Sequence, residues 1–304
     1  MILNPVVALL AALAALTLLF ATYWIRALQA ARAWAWPTGV QSGIGALTNF
    51  FDTLGIGSFA PTTALWRATK TVPDRIIPGT LNVGHTVPVI AQAFIFTAII
   101  AVDALTLFAM IGAAVVGAWF GAGVVAKLPR RRVQIGMGFA LLAAATLMLM
   151  TQLQLVPGGG EALGVEGGRL IVAVAGNMLL GALMTLGIGM YAPCMILVSL
   201  LGMSPRAAFP IMMGSCAFLQ PVGSIRFIRE GSYSARAALG LTLGGLPAVL
   251  VAAYVVRELP LYAVRWLVIV AVVYTAVSML WAALKERHPE PAAASSPAVA
   301  GPAA

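Results

Sequence analysis

Apolar residues in this chain gather into stretches about 20 residues long, and short runs of charged residues separate these stretches. A helix of that length crosses the hydrocarbon core of a bilayer, which is roughly 30 Å thick. The pattern therefore predicts an all-α membrane protein with about seven full transmembrane helices. The seven continuous stretches are residues 5–25, 80–102, 104–126, 133–153, 207–228, 236–256 and 261–284.

Two further apolar segments contain a glycine-rich motif in their middle. Residues 53–61 read TLGIGSFAP and residues 185–193 read TLGIGMYAP, which are identical at seven of nine positions. Two glycines so close together weaken a helix by about 1 kcal/mol each relative to alanine. The proline that ends each motif suits the first turn of a new helix. Each segment is therefore predicted to be a helix, a break and a second helix.

The two motifs lie 132 residues apart, and this offset also superimposes several prolines and the neighbouring apolar stretches. The chain is therefore predicted to contain two homologous halves, each with one helix, one broken segment and two further helices. The first repeat covers residues 1–131 and the second covers residues 132–258. A final transmembrane helix at 259–284 precedes a tail, residues 285–304, whose Pro, Ala and Ser content predicts disorder.

Charge decides how the broken segments are expected to lie in the membrane. Only 9% of the residues are charged, and the net charge of +9 comes from Lys and Arg in short loops, so nucleic acid is not a predicted partner. If both broken segments are re-entrant hairpins, one face collects 14 of the 18 basic residues, whereas the split is 10 to 8 if both cross. The positive-inside rule favours the hairpins. Nine to ten membrane segments remain the alternative if the broken helices span.

Three crossings separate the two hairpins in this topology, so the halves are inverted relative to each other. Inverted repeats with broken helices are typical of secondary transporters, whose substrate binds near the midplane. A helix N-terminus binds anions through its unpaired N–H groups and its partial positive charge. The arms after the breaks begin near Ser58 and Met190, so two N-termini could hold one small anion between them.

The candidate substrate-binding residues come from the two breaks and from the helices that follow them. The alternative is that the glycines only let helices pack closely. The candidates are Thr53, Gly55, Gly57, Ser58, Asn82, Thr185, Gly187, Gly189 and Ser215.

Polar side chains embedded in apolar segments are costly in lipid and tend to be functional. Asp52 and His85 are the candidates for proton coupling, because a carboxyl and an imidazole can both carry a proton. The alternatives are a capping carboxylate for Asp52 and a structural, neutral imidazole for His85. Other embedded polar residues are Asn49, Gln92, Asn177, Cys216 and Gln220.

Enzymatic activity is not expected from these residues. The chain has no HExxH or GxSxG motif, and Asp52 is the only acid embedded in an apolar segment, so an aspartyl protease would lack its second carboxylate. A Walker loop is absent as well. Within transport, the alternatives to a secondary transporter are a passive anion channel and a membrane subunit of a larger transport complex.

The stretch GIGALTNFFDTLGIGSFAP, together with the second TLGIG, resembles the sulfite exporter TauE/SafE family, a group of bacterial permeases for sulfur-containing anions. The resemblance covers residues 1–284. It implies a multi-pass inner-membrane permease for sulfite or for an organosulfonate such as sulfoacetate, coupled to protons and needing no cofactor or metal. Its partners would be the small anion, protons and the lipid bilayer, and a homodimer is compatible with it.

Overall fold

Eleven α-helices form within residues 5–31, 34–54, 56–97, 102–155, 159–254 and 261–285, the parts of the chain that the computed structural model describes. Gly55 and residues 286–304 of the predicted disordered tail lie outside them. The helices are α1 (Pro5–Ala30), α2 (Gly39–Thr53), α3 (Phe59–Thr69), α4 (Ile77–Thr97), α5 (Ala104–Val125), α6 (Arg130–Gln152), α7 (Gly167–Met184), α8 (Tyr191–Leu200), α9 (Pro205–Arg229), α10 (Ala235–Tyr254) and α11 (Leu261–Lys285).

Six helices of the described chain are long and apolar enough to cross a membrane, judged by length and composition: α1, α5, α6, α7, α9 and α10. The predicted all-α membrane protein is thereby confirmed. Five of the six coincide with continuous apolar stretches of the sequence. The sixth, α7, is the first arm of the second broken segment, and its 18 residues suffice to span. The described apolar part of α11 is the shorter segment Val272–Lys285.

Helix α4 was predicted to span, yet it is not among the six apolar helices. It carries Asn82, His85 and Gln92, and every residue from Ile77 to Gln92 is buried apart from two that are partly exposed. Its neighbours are α9 and α10, which pack along it. Protein rather than lipid therefore surrounds α4, and this is the setting in which polar side chains at membrane depth are tolerated.

Glycines bring two pairs of helices into backbone contact, α2 with α10 and α5 with α7. A Cβ added to Gly45 would lie 2.6 Å from the carbonyl oxygen of Gly240, and one added to Gly121 would lie 2.7 Å from that of Ala182. No side chain fits at these positions, so the helices approach as closely as small residues allow. In both pairs a first arm of a broken segment packs against the last helix of the other predicted repeat.

Both glycine-rich motifs interrupt the helical path. Helix α2 ends at Thr53 and α3 begins at Phe59, while α7 ends at Met184 and α8 begins at Tyr191. Gly57 and Gly187 have φ angles of +89° and +104°, a region that L-residues with a side chain rarely adopt. The predicted sequence of helix, break and helix is therefore confirmed, whereas the re-entrant path of the arms stays a prediction.

Candidate functional site

The two breaks face each other across a small cavity of about 40 Å³, which we call the break cavity. A water molecule needs roughly 10–15 Å³ of such space, so the cavity is large enough for a few waters and too small for most organic molecules. It begins at the N-termini of both α3 and α8. The break cavity is lined by Gly57, Phe59 and Ala60 from the first break and by Gly189, Tyr191 and Pro193 from the second, among others.

Both helices start without a side-chain cap. Ser58 and Met190 occupy the N-cap positions of α3 and α8, and neither side chain accepts a hydrogen bond from the helix. The first N–H groups of a helix have no partner within the helix itself. Two sets of such donors, each with about half a positive charge, therefore start at the wall of one cavity.

Asp52 lies in the last turn of α2 and is fully buried. Its Oδ2 accepts a hydrogen bond of 2.9 Å from Nε2 of Gln92, and its Oδ1 has no hydrogen-bond partner among the described residues. The hydroxyl and the backbone N–H of Ser58 lie beside this carboxyl group. The predicted embedded acid is thus placed next to the N-terminus of α3.

A chain of hydrogen bonds joins the two breaks through α4. The hydroxyl of Tyr191 donates to Oε1 of Gln92 over 3.0 Å, and Nε2 of Gln92 donates to Asp52 and, over 3.1 Å, to Oγ1 of Thr53. Sequence reasoning missed Tyr191. The sequence did contain one indication of its role. The two motifs differ at two positions, and at one of them the second motif has Tyr191 where the first has Phe59, which adds a hydroxyl group.

His85 makes contacts that hold the first break together. Its Nδ1 lies 3.0 Å from Oδ1 of Asn49 in α2, its Nε2 lies 3.2 Å from Oγ1 of Thr62 in α3, and its ring packs on Phe59. Nδ2 of Asn49 already donates to the carbonyl of Gly45, so Oδ1 is the acceptor and Nδ1 of His85 carries the proton. The neutral ring then accepts from Thr62, so both ring nitrogens are engaged.

The other predicted site residues that the structure describes do not line the break cavity. The side chain of Asn82 donates to the carbonyl of Pro78 within its own helix, and Thr185 donates to Ala182. Ser215 accepts from Asn177 over 2.9 Å. A Cβ at Gly187 would meet side chains of neighbouring helices. Gly57 and Gly189 are therefore the predicted residues that line it.

Sulfur atoms occupy the second break at the place where the first has a carboxylate. Met184 directly precedes the second TLGIG motif, as Asp52 precedes the first, and its sulfur lies 3.7 Å from Sγ of Cys216. The sulfur of Met190 lies 3.9 Å from the same atom. The two breaks are therefore chemically unequal. Within the described residues, no cluster of three or more His, Cys, Asp or Glu side chains is able to hold a metal ion.

Two larger cavities adjoin the break cavity. The methionine cavity, of about 360 Å³, is lined by Met148, Met195, Met212 and Met213 together with aromatic residues. The second, which we call the arginine cavity, has a volume of about 720 Å³ and reaches Arg67 and Lys70 at the end of α3. Ile56 of the first break lines all three cavities.

Comparison with known proteins adds the family. Residues 169–304 match the family model described as Sulfite exporter TauE/SafE, whose members are transporters and not enzymes. No curated protein and no solved structure matches the chain. The matched region includes the second broken segment, so it covers one wall of the break cavity. Over residues 169–304 the chain is therefore similar to the sulfite exporter TauE/SafE family, and with six described helices long and apolar enough to span it is a multi-pass inner-membrane transport protein.

Proposed function

We propose that the protein is a secondary permease for sulfite or a small organosulfonate, that the anion binds in the break cavity near the membrane midplane, and that transport is coupled to protons through Asp52. The observation that carries this proposal is the pair of uncapped helix N-termini, of α3 and α8, at one cavity. The family match supports the class of substrate.

The charge balance of the break cavity favours a monoanion. Each helix N-terminus acts as about half a positive charge, so the two together offset roughly one negative charge. No Lys or Arg is among the residues that line this cavity. A fixed cation in the membrane would be expensive when the site is empty, whereas backbone N–H groups cost no desolvated charge.

Asp52 is the group through which a proton would control anion binding. Its carboxyl group lies beside Ser58, the N-cap of α3, so an ionised Asp52 uses the same donors that the substrate needs. An anion next to that carboxylate would also meet a like charge in a region of low dielectric constant. Protonation of Asp52 removes both obstacles, so the proton and the anion bind together.

His85 is better suited to a structural role. Both of its ring nitrogens are engaged by Asn49 and Thr62, which belong to the two arms of the first break. Carrying a second proton would force Thr62 to give up its donation to Nε2. Of the two coupling candidates, we therefore propose Asp52.

The inverted repeat remains part of the proposal, and the helix contacts support it. The contacts of α2 with α10 and of α5 with α7 form a reciprocal pair between the halves. Two repeats related by a two-fold axis would make such reciprocal contacts, in which the first arm of each broken segment packs against the last helix of the other repeat. Alternating access by movement of one repeat against the other would then expose the break cavity to each side in turn.

The direct test is uptake and efflux of labelled sulfite in membrane vesicles, with and without a pH gradient. Saturable transport that responds to the gradient is expected for the wild-type protein, whereas a passive channel would not respond. Gly189→Leu should abolish transport, because a Cβ at Gly189 meets no atom within 4 Å and points into open space. Asp52→Asn should keep sulfite transport and lose its dependence on the pH gradient.

Gly112→Leu is the matched control, because a Cβ there also meets no atom within 4 Å, but Gly112 lies on α5, away from the cavity. Its transport should equal that of the wild type. Normal kinetics in Gly189→Leu would contradict binding in the break cavity. Retained gradient dependence in Asp52→Asn would contradict coupling through Asp52.

A further inference from the structure

The methionine cavity adjoins the break cavity and shares part of its wall. Ile56, Met148 and Tyr191 line both. The two cavities differ in size by nearly an order of magnitude, about 40 Å³ against about 360 Å³. The smaller one suits the charged group of an anion, and the larger one reaches the volume of small-molecule sites, which begins near 300 Å³.

The lining of the methionine cavity is apolar and polarisable. Four methionines and two phenylalanines, Phe96 and Phe209, form much of its wall. Its polar side chains include Thr53 and Tyr191, which belong to the hydrogen-bonded chain beside the break. Thr151 is a further polar side chain of the wall, so the cavity is polar where it meets the break and mostly apolar elsewhere. Methionine side chains adapt to ligands of different shape, because they are flexible and unbranched.

From this geometry we propose that the preferred substrate is a monoanionic sulfonate with an apolar alkyl or aryl tail, and that the methionine cavity binds the tail while the break cavity binds the sulfonate group. The inference rests on the proposed function of the break cavity. The inference also predicts which sulfonates bind more weakly, because no Lys or Arg lines the methionine cavity. A second carboxylate, as in sulfoacetate, would be buried there without a counter-charge, which is costly.

A second occupant to consider is a lipid acyl chain, since the protein lies in a bilayer. The wall shared with the break cavity favours the substrate tail instead, because an acyl chain has no anionic group to place at the breaks. The two occupants predict different responses to uncharged alcohols, and this difference enters the test.

The test is inhibition of labelled sulfite uptake in proteoliposomes by methane-, ethane-, propane- and butanesulfonate, by sulfoacetate, and by butanol and hexanol. Each added methylene should lower the inhibitory concentration about fourfold, because burying a CH₂ group contributes about 0.8 kcal/mol. Sulfoacetate should inhibit more weakly than propanesulfonate. The alcohols, which lack the anionic group, should not compete with sulfite.

Two phenylalanines of α9 provide a matched pair of variants. Phe209 and Phe218 are both partly buried, and of the two only Phe209 lines the methionine cavity. Phe209→Ala should reduce the ratio of the inhibitory concentrations of methanesulfonate and butanesulfonate by about fourfold or more, the equivalent of one methylene. Phe218→Ala should leave this ratio unchanged. Binding of the same sulfonates to the purified protein, measured by thermal stabilisation, provides a second readout if a variant transports poorly.

Two results would overturn the inference while the proposed function stands. The first is inhibition of sulfite uptake that does not change with the chain length of the sulfonate, and the second is equal inhibition by alcohols and sulfonates. The second result would identify lipid-like partitioning as the cause. Absence of any sulfite uptake by the wild-type protein would instead overturn the proposed function itself.

Discussion

Replacing Gln92 by leucine should reveal how strongly the two breaks are joined. The Gln92 amide makes three hydrogen bonds, to Asp52, Thr53 and Tyr191, and the residue is fully buried. Leucine has a similar size but no polar atoms, so Gln92→Leu removes all three bonds without leaving a large cavity. Oδ2 of Asp52 and the hydroxyl of Tyr191 would then lose their partner on α4.

The magnitude follows from the bonds that are lost. Hydrogen bonds between transmembrane helices contribute about 0.6 kcal/mol on average, so three of them amount to roughly 2 kcal/mol. A buried polar group left without a partner adds about 1–3 kcal/mol, and a charged group adds more. We therefore expect Gln92→Leu to lower the free energy of unfolding by about 3–5 kcal/mol.

Gln220→Leu is the control for this substitution. Gln220 is equally buried, on α9, and neither atom of its amide has a hydrogen-bond partner among the described residues. Leucine at this position should leave the free energy of unfolding unchanged or raise it by about 1 kcal/mol. Both variants can be compared by titrating detergent-solubilised protein with a denaturing detergent and following tryptophan fluorescence.

A double-mutant cycle with Tyr191→Phe isolates the link between the breaks. Phenylalanine is the residue that the first motif has at the equivalent position, Phe59, so the change removes only a hydroxyl group. The coupling energy between Gln92 and Tyr191 should be about 0.5–1.5 kcal/mol. Equal stability of Gln92→Leu and Gln220→Leu, together with a coupling energy near zero, would refute the bridge between the halves.

Three further predictions concern other parts of the molecule. His85→Gln should lower thermal stability, since glutamine replaces the two ring contacts incompletely, while the response of transport to a pH gradient persists; loss of that response would return His85 to the coupling mechanism. Asp103 caps α5 by accepting hydrogen bonds from the next turn, which lowers the pKa of its carboxyl group, so Asp103→Ala should cost about 1 kcal/mol of stability. Because the pKa of Asp103 is lowered, its contribution to stability is present near neutral pH and is lost as the pH falls through the lowered pKa. A loss of stability in Asp103→Ala that is as large at strongly acidic pH as at neutral pH would contradict this prediction. Cysteines placed near Arg131 and Arg229 should both react only from the cytoplasm and one near Gly159 only from outside, and labelling of the first two from opposite sides would contradict the hairpin topology.

The breaks were the part of the site that the sequence predicted well. Glycine and proline act on the backbone locally, so the pattern TLGIG followed by proline placed the starts of α3 and α8 at Ser58 and Met190, the N-caps in the structure. The close packing of glycine-containing helices follows from the same local property. The second copy of the motif also predicted that two helix N-termini would act together on one anion.

The partners of the polar residues were not predictable in the same way. The Asn82 side chain bonds within its own helix, whereas His85 reaches two other helices. Gln92 and Tyr191 are 99 residues apart in sequence. Which side chains meet over such separations depends on how helices pack, and hydropathy carries no information about that. The polar helix α4 likewise counted as an ordinary span until its burial was seen.

The burial of α4 has a consequence for biosynthesis. The helix carries Asn82, His85 and Gln92, whose exposure to lipid would be costly, and it is packed along its length by α9 and α10. Helix α9 begins about 100 residues after α4 ends, so at about 5–20 residues per second the ribosome reaches its start roughly 5–20 s later. During that interval α4 must wait at the translocon or at the membrane surface. A nascent chain that stops before α9 therefore lacks the surface that α4 requires, and quality control should recognise such a fragment as unassembled.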